Sequence, residues 1–303
     1  MIASELDWAN VESAIDGVLD RGWYTNHGPM AQSLEARLSA LHEVAAAVIV
    51  TNHSLGLIML TEALGLQGEV ILSALSPACC AQALRWAGLR PRFCDIDEAT
   101  LGLAPGSAEA AIGAGTAAIL VTPGCDPAPL AALAARHRLA FCRYAQPGRD
   151  GPGLVGLAAC GDDPAPCALL TDDAGLAARL RNIRSSYGAG PPVTVHRTAN
   201  GRVSELQAAL ALEALDRPCG APNLPLRHLP FGQEIALLAV SQPRRDRLIA
   251  RLHDAGCPAH PLVLDHRAVH CPHARSIAAS CVLMPRRRAY DPAFVDLLAR
   301  EAA

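Results

Sequence analysis

An uninterrupted apolar run, Ala45-Ala46-Ala47-Val48-Ile49-Val50, is followed by Thr51-Asn52-His53-Ser54 and then by Leu55-Gly56-Leu57-Ile58-Met59-Leu60-Thr61-Glu62-Ala63-Leu64. A strand with one face in water alternates apolar and polar residues, and this run does not. It predicts a strand covered on both faces, as in a parallel sheet lying between helices. Leu57, Leu60, Thr61 and Leu64 recur at helical spacing, so the following stretch reads as a helix packed back onto that sheet. The polar turn between them leaves the first N–H groups of the helix pointing at one spot, where the helix dipole favours a phosphate or carboxylate. Two readings are open at this turn: Asn52 or Ser54 caps the helix, or the turn is an anion site.

The same alternation continues along the chain. Strand patterns occupy residues 69–72, 92–95, 117–121 and 139–142, with helical patterns at 77–86, 108–112 and 127–137 between them. Repeated strand–helix–strand units predict an α/β fold: a mostly parallel sheet with helices on both faces and a ligand crevice at the C-terminal ends of the strands. Ahead of this core lie an amphipathic helix over 7–20, a glycine-flanked polar turn over 22–29, and a helix carrying Leu34, Leu38 and Leu41. Periodicity breaks down from Pro147 to Pro166. It returns as a strand over 167–170, a helix over 173–183, a loop over 191–201 and a helix from Ser204. The proline-rich stretch 218–230 reads as a linker. It divides the chain into a large α/β domain, 1–217, and a small C-terminal α+β domain, 218–303, with strands at 234–240 and 280–284 and helices at 244–255 and 292–300.

Composition narrows the function classes. The formal charge of −3, with signs interspersed, provides no basic field for nucleic acid. Acids stand at the start where a signal peptide needs bases, and no apolar run reaches membrane-spanning length. The 11 cysteines are scattered without a Cys-x-x-Cys pair, which predicts a reduced, cytoplasmic compartment. The tail carries His253, Cys257, His260, His266, His270, Cys271 and His273, but their spacing matches no zinc signature, and no metal ligand is assigned. All 26 basic residues are arginine; the sequence contains no lysine. Arginine stays protonated and is no amine nucleophile, so this chain has no side chain that can form a Schiff base.

Several segments together resemble the DegT/DnrJ/EryC1/StrS aminotransferases. These are Gly22-Trp23-Tyr24-Thr25-Asn26-His27-Gly28-Pro29 with Leu34-Glu35, Asn52-x-Ser54 with Leu57, Gly68-Glu69-Val70-Ile71, and Trp86 to Pro91 leading into Phe93-Cys94-Asp95-Ile96-Asp97. Later in the chain come Arg181–Gly188, Asn200-Gly201-Arg202-Val203-Ser204-Glu205-Leu206-Gln207, and Arg245-Asp246 through Gly256. The resemblance implies the pyridoxal-phosphate (PLP)-dependent transferase fold of type I. Its sheet is mostly parallel and of the seven-stranded type, expected here in trimmed form, with a small C-terminal domain. It also implies chemistry on nucleotide-linked keto-sugars and cyclitols.

Carried over residue by residue, the resemblance places the cofactor phosphate at Asn52, His53 and Ser54, where Ser54 keeps the family's hydroxyl and His53 replaces a glycine. The ring-stacking aromatic falls near Pro77. The carboxylate that pairs with the pyridine nitrogen falls on Tyr144, or on Arg143 in a register slipped by one, in which Gln146 matches a nearby family glutamine. Asn200 matches an asparagine that reaches the neighbouring subunit's cofactor phosphate. The family's Ser-x-x-x-x-Lys segment has no counterpart between Gly153 and Pro166, nor does the histidine that replaces the lysine in dehydrating relatives. The expectation is a degenerate homologue, a pseudo-enzyme or partner subunit, without covalent PLP. Non-covalent PLP or pyridoxamine phosphate (PMP), or another phosphorylated ligand, would occupy the cradle. Its oligomer is a homodimer, or a heteromer with a lysine-bearing paralogue. The alternative is a PLP-independent enzyme on a keto-sugar nucleotide or cyclitol, with His53, Tyr144 and Asp95 as candidate acid–base groups and Asp97 beside them.

Overall fold

Strand β1 (Ala46–Val50) is buried along its whole length, and the two faces of the run meet different layers. Helices α1 (Trp8–Arg21) and α2 (Pro29–Leu41) precede it. Val48 and Val50 pack with Leu57 and Leu60 of α3 (His53–Ala63), while Ala47 and Ile49 pack with Leu34 and Leu38 of α2. This two-sided burial is why the run carries no polar residue. A computed structural model describes residues 8–122, 126–144, 153–156, 166–185, 192–215, 224–231, 234–239 and 241–302.

The repeating units follow as β2 (Glu69–Ser73), α4 (Ala78–Trp86), β3 (Arg90–Cys94), α5 (Pro105–Ala111), β4 (Thr116–Val121), α6 (Ala128–Arg136) and β5 (Ala140–Tyr144). Then come β6 (Gly153–Gly156), β7 (Cys167–Thr171), α7 (Ala174–Arg184) and α8 (Glu205–Leu215). They build a 7-stranded sheet in the order β1-β7-β6-β5-β4-β2-β3, in which β7 runs antiparallel to both neighbours and the remaining adjacent pairs are parallel. The fold is the expected mostly parallel α/β sheet, but it is not trimmed: all seven strands are present. β6, in the stretch where periodicity fails, completes the set with only four residues.

A second, 4-stranded antiparallel sheet has the order β10-β11-β9-β8, from β8 (His228–Phe231), β9 (Glu234–Leu238), β10 (His260–Pro261) and β11 (Cys281–Pro285). Helices α9 (Gln242–Asp254), α10 (Pro272–Ser280) and α11 (Pro292–Ala302) accompany it. The end of the expected linker is thus strand, pairing Phe231 with Glu234, while the proposed boundary at 217/218 lies outside the described residues. Ala236, Leu262, Cys281 and Leu283 of this unit join the same buried cluster as Val48, Leu72 and Leu84, so the two sheets share one core. Among the described residues, no helix is long and apolar enough to cross a membrane. The eight described cysteines are free thiols, all but Cys79 buried.

β1 is an edge strand, and its free edge is closed by an ion pair. Ile49 N–H donates to Glu35 Oε1 at 3.1 Å and Ile49 C=O accepts from Arg184 Nη1 at 3.0 Å, while Arg184 Nη1 donates to Glu35 Oε1 at 2.6 Å. Both side chains are buried, and His27 Nε2 lies 2.9 Å from the other Glu35 oxygen. Burial pushes the Glu35 carboxyl up, but the His27 hydrogen bond and the Arg184 charge outweigh it, and its pKa is lowered overall. A buried ion pair can often be replaced by apolar residues at no loss. Here both partners also serve backbone groups that nothing else satisfies, which changes the expectation. Glu35→Gln should lower unfolding free energy by about 3 kcal/mol. The double variant Glu35→Leu/Arg184→Met should remain destabilised by about 2 kcal/mol, because Ile49 keeps two orphaned groups. Urea denaturation measures both, and a double variant as stable as the parent would contradict the edge-closing role.

Candidate functional site

The turn after β1 is built as a helix start. Asn52, in extended conformation, is the N-cap of α3, and its Oδ1 accepts from Leu55 N–H at 2.9 Å. Of the two readings open at this turn, capping is what the Asn52 side chain does. The strand behind is anchored as well: Thr51 N–H donates to Gly201 C=O at 3.1 Å, and Asn52 C=O accepts from the Cys167 thiol at 3.3 Å. His53 and Ser54, both half-buried, form the first turn. Burial lowers the His53 pKa to about 4, so at neutral pH its ring is uncharged. A phosphate at this helix end would therefore meet the Ser54 hydroxyl and backbone N–H groups, with no cation from His53.

The other sequence-derived candidates separate into distinct structural roles. Asp95 follows β3 and holds the start of α10. Its carboxylate accepts from Ala274 N–H at 2.9 Å and His273 N–H at 3.1 Å, and lies 2.9 Å from His273 Nδ1. Burial pushes its carboxyl up, but these bonds and the one from Ile96 N–H outweigh it, and the pKa is lowered. Asp95, a candidate acid–base group in the sequence, is thus placed as a helix cap delivered from the large sheet to the small unit. Asp97 closes a local turn through Thr100 and Ala99 N–H. Asn200 is exposed, and its Oδ1 accepts from Arg202 Nε at 2.8 Å; Arg202 also bonds Asn26. Tyr144 ends β5, but its side chain lies outside the described residues, as does Gln146 as a whole. Arg143 lies over the Phe141 ring, 5.7 Å from its centroid. Phe141 packs with α5 and α6, on the sheet face away from α3, so the slipped register, with Arg143 facing a cofactor, does not fit.

Two features escaped the sequence reading. Glu205, fully buried at the start of α8, accepts from Met30 N–H at 2.7 Å and Ala31 N–H at 3.1 Å, capping α2 across the turn 22–29. A Cβ on Gly28 would stand 2.6 Å from that carboxylate, which explains the glycine. The second is an apolar groove of about 750 Å³ between the start of α4 and the small sheet, containing Ser76 and Pro77. The tail histidines and cysteines do not converge: among the described residues, no group of three or more His, Cys, Asp or Glu is placed to hold a metal ion.

The sequence profile described as the DegT/DnrJ/EryC1/StrS aminotransferase family matches residues 7–145. The matched segment is a little under half of the chain, and over it the chain is similar to that family. Over 120 residues it is 37% identical to a dTDP-4-amino-4,6-dideoxy-D-glucose transaminase of Shigella dysenteriae, covering 38% of this chain and 33% of that enzyme. The match to an Escherichia coli enzyme of the same name covers 26% of that enzyme, so the chain spans about a third or less of these curated relatives. Among solved structures, DesI in the presence of its TDP-sugar product superposes with a TM-score of 0.78 at 24% identity, covering 98% of this chain and 91% of DesI. The E. coli GDP-4-keto-6-deoxy-D-mannose-3-dehydratase with bound hydrated PLP gives a TM-score of 0.79 at 16% identity, covering 100% and 98%. At these identities the structures establish the fold, that of the PLP-dependent type I aminotransferases.

The residues of this chain do not fit PLP as an electron sink. There is no lysine in the sequence, and residues 157–166, which join β6 to β7, hold neither lysine nor histidine. β5 ends in Arg143-Tyr144 rather than a carboxylate, and His53 places an uncharged ring in the turn after β1.

The buried, neutral His53 makes a pH signature. Unfolded, histidine takes a proton near pH 6.5; folded, His53 does so only near about 4. The unfolded state binds more protons between those values, so stability contributed by His53 is full above pH 7 and is lost as pH falls from about 6.5 to about 4, by about 3 kcal/mol. Urea denaturation of the parent and of His53→Gln at pH 7 and 4.5 should show the variant losing less stability on acidification. Equal losses would contradict the assignment.

Proposed function

We propose that this chain does not carry out lysine-dependent transamination and serves sugar-nucleotide or secondary-metabolite biosynthesis as a binding or partner subunit. The observation that carries this reading is the absence of lysine from all 303 residues, because covalent PLP chemistry in such a site starts from a Schiff-base amine. The biosynthetic setting is supported by the relatives' names, among them the dTDP-4-amino-4,6-dideoxy-D-glucose transaminases. The fold is retained in full while the chemistry-bearing positions are altered, and fold and function are separable in this way. A phosphorylated ligand, free PLP or PMP included, would rest non-covalently on Ser54 and the start of α3.

The partner is a second copy of the chain or a lysine-bearing paralogue. Asn200 supports the second: it is exposed and held by Arg202, whose guanidinium also bonds Asn26, on a loop beside the exposed Trp23 and Tyr24. The geometry does not favour a PLP-independent enzyme in the old crevice. Asp95 is engaged in capping, and a histidine with a pKa of about 4 is a weak base at neutral pH.

Incubation with PLP, borohydride reduction and intact-mass and peptide analysis tests the proposal. The expected result is no adduct other than at an N-terminal amine, with no transamination of dTDP-4-amino-4,6-dideoxy-D-glucose. A reduced adduct on an internal residue, or turnover by the chain alone, overturns it. Co-expression with a lysine-bearing paralogue should yield a complex whose PLP content falls in Asn200→Ala. A homodimer indifferent to the paralogue removes the heteromer version.

A further inference from the structure

The outer strand of the large sheet carries a charge that its surroundings leave unbalanced. β3 forms the edge opposite β1, with five strands between them. Along it Pro91 and Phe93 are buried, while Arg90 and Arg92, two residues apart and so on one face, are exposed. A segment of the small unit, following the single 3-10 turn His266–Ala268, closes over this edge. His270 Nε2 donates to the Phe93 carbonyl at 3.2 Å, where a further strand would otherwise pair. Between the two lies a pocket of about 370 Å³ bordered by Glu69, Arg90, Arg92, Phe93, Arg267 and His270.

Three guanidinium groups and one carboxylate meet there. Glu69 is shared between two of them: Oε1 lies 3.5 Å from Arg90 Nε, and Oε2 lies 4.0 Å from Arg92 Nη1. Both distances are too long for a good hydrogen bond. Arg267 donates its backbone N–H to Asp265, but its guanidinium has no ion-pair partner among the described residues. The charges just outside cancel, since Asp265 is paired with Arg85 at 2.7 Å. Asp95, the next carboxylate along the chain, is engaged at the start of α10. The pocket therefore keeps an excess of two positive charges. Like charges held this close repel. A doubly charged oxyanion would remove that repulsion and give the guanidinium forks the acceptors they lack.

Neither the turn after β1 nor Pro77 borders this pocket. Glu69 and Arg90 are the first residues of β2 and β3, whereas Pro77, where the resemblance puts the cofactor ring, lies beyond the far end of β2. Phe93 is the one lining residue shared with the groove beside Pro77, and His270 closes off its carbonyl.

We propose that this pocket binds a phosphate dianion, free or as the terminal group of a small phosphorylated metabolite. Arg92 and Arg267 are its ligands, so the bound ion bridges the large sheet to the small unit. This assignment does not depend on whether the chain transaminates.

The test titrates the full chain at low ionic strength with inorganic phosphate and with glucose 1-phosphate, by calorimetry, and locates the ion by amide hydrogen exchange. Saturable binding is expected with a Kd below about 10 mM, protecting residues 88–94 and 265–271. Arg92→Gln and Arg267→Gln should each weaken it about tenfold. Glu69→Gln, which removes the one opposing charge, should tighten it about threefold. Arg300→Gln removes the same charge from an exposed position on α11 and should leave the affinity unchanged. Thermal melts establish that the variants are folded; if one pocket arginine variant is not, the other decides. Equal affinity for the two probes assigns the free ion, and tighter binding of the sugar phosphate assigns an ester. The proposal is overturned by absence of saturable binding, by parent affinity in both pocket arginine variants, by equal weakening in Arg300→Gln, or by protection confined to residues 53–56. Covalent PLP on the protein would overturn the function proposed above and leave this one standing.

Discussion

The ion pair between Glu35 and Arg184 holds the frame because of where it sits. A parallel sheet buried on both faces still has two edges, and an edge strand presents N–H and C=O groups that must find partners. On β1 those of Ile49 face a carboxylate from α2 and a guanidinium from the end of α7. The same Arg184 receives Gly201 N–H on its carbonyl, and Gly201 in turn accepts from Thr51. One pair therefore ties together the edge of the sheet, the helices flanking it and the loop before α8. It also sets the exit of β1, and with it the position of the turn at Asn52.

Around this pair the fold relies on long-range carboxylate caps. α2 and α10 both begin with proline, which removes one donor and leaves the next two N–H groups exposed to need. In α2 these are taken by Glu205, and in α10 by Asp95, each from a distant part of the chain. Helix α2 is thereby fixed to α8, and the small sheet's helix α10 to the large sheet. Local caps serve elsewhere, at Asn52, Asp173 and Ser241. The distinction explains a misreading: an acid at a strand end followed by a turn looks the same in sequence whether it awaits a substrate or a helix 178 residues away.

The central strands were legible because two-sided burial imposes an apolar run, which β1 carries along its whole length and β2, β4 and β7 over most of theirs. β6 is short and begins and ends in glycine, and β8 carries a proline, so neither produces a periodic signal; pairing with stronger neighbours makes them strands. α10 lay hidden among histidines and cysteines that suggested metal chemistry. Of the site, the lysine's absence and the substitutions at His53 and Tyr144 were readable directly. Asn52 as a cap was one of two readings the residues left open, and only its bond to Leu55 decided what the side chain does. Glu205 had no sequence signal: it is one acid at a helix start.

What separates the retained from the altered positions is the kind of force each one carries. Glu35, Arg184, Glu205, Gly28 and Asp95 satisfy buried backbone or exclude a clash, and their loss would cost stability whatever the protein binds. The lysine, the β5 carboxylate and the turn glycine that the resemblance leads one to expect would act on a ligand rather than on the chain. Burial holds His53 as an uncharged ring at neutral pH. A fold held by the first set can therefore persist without the second.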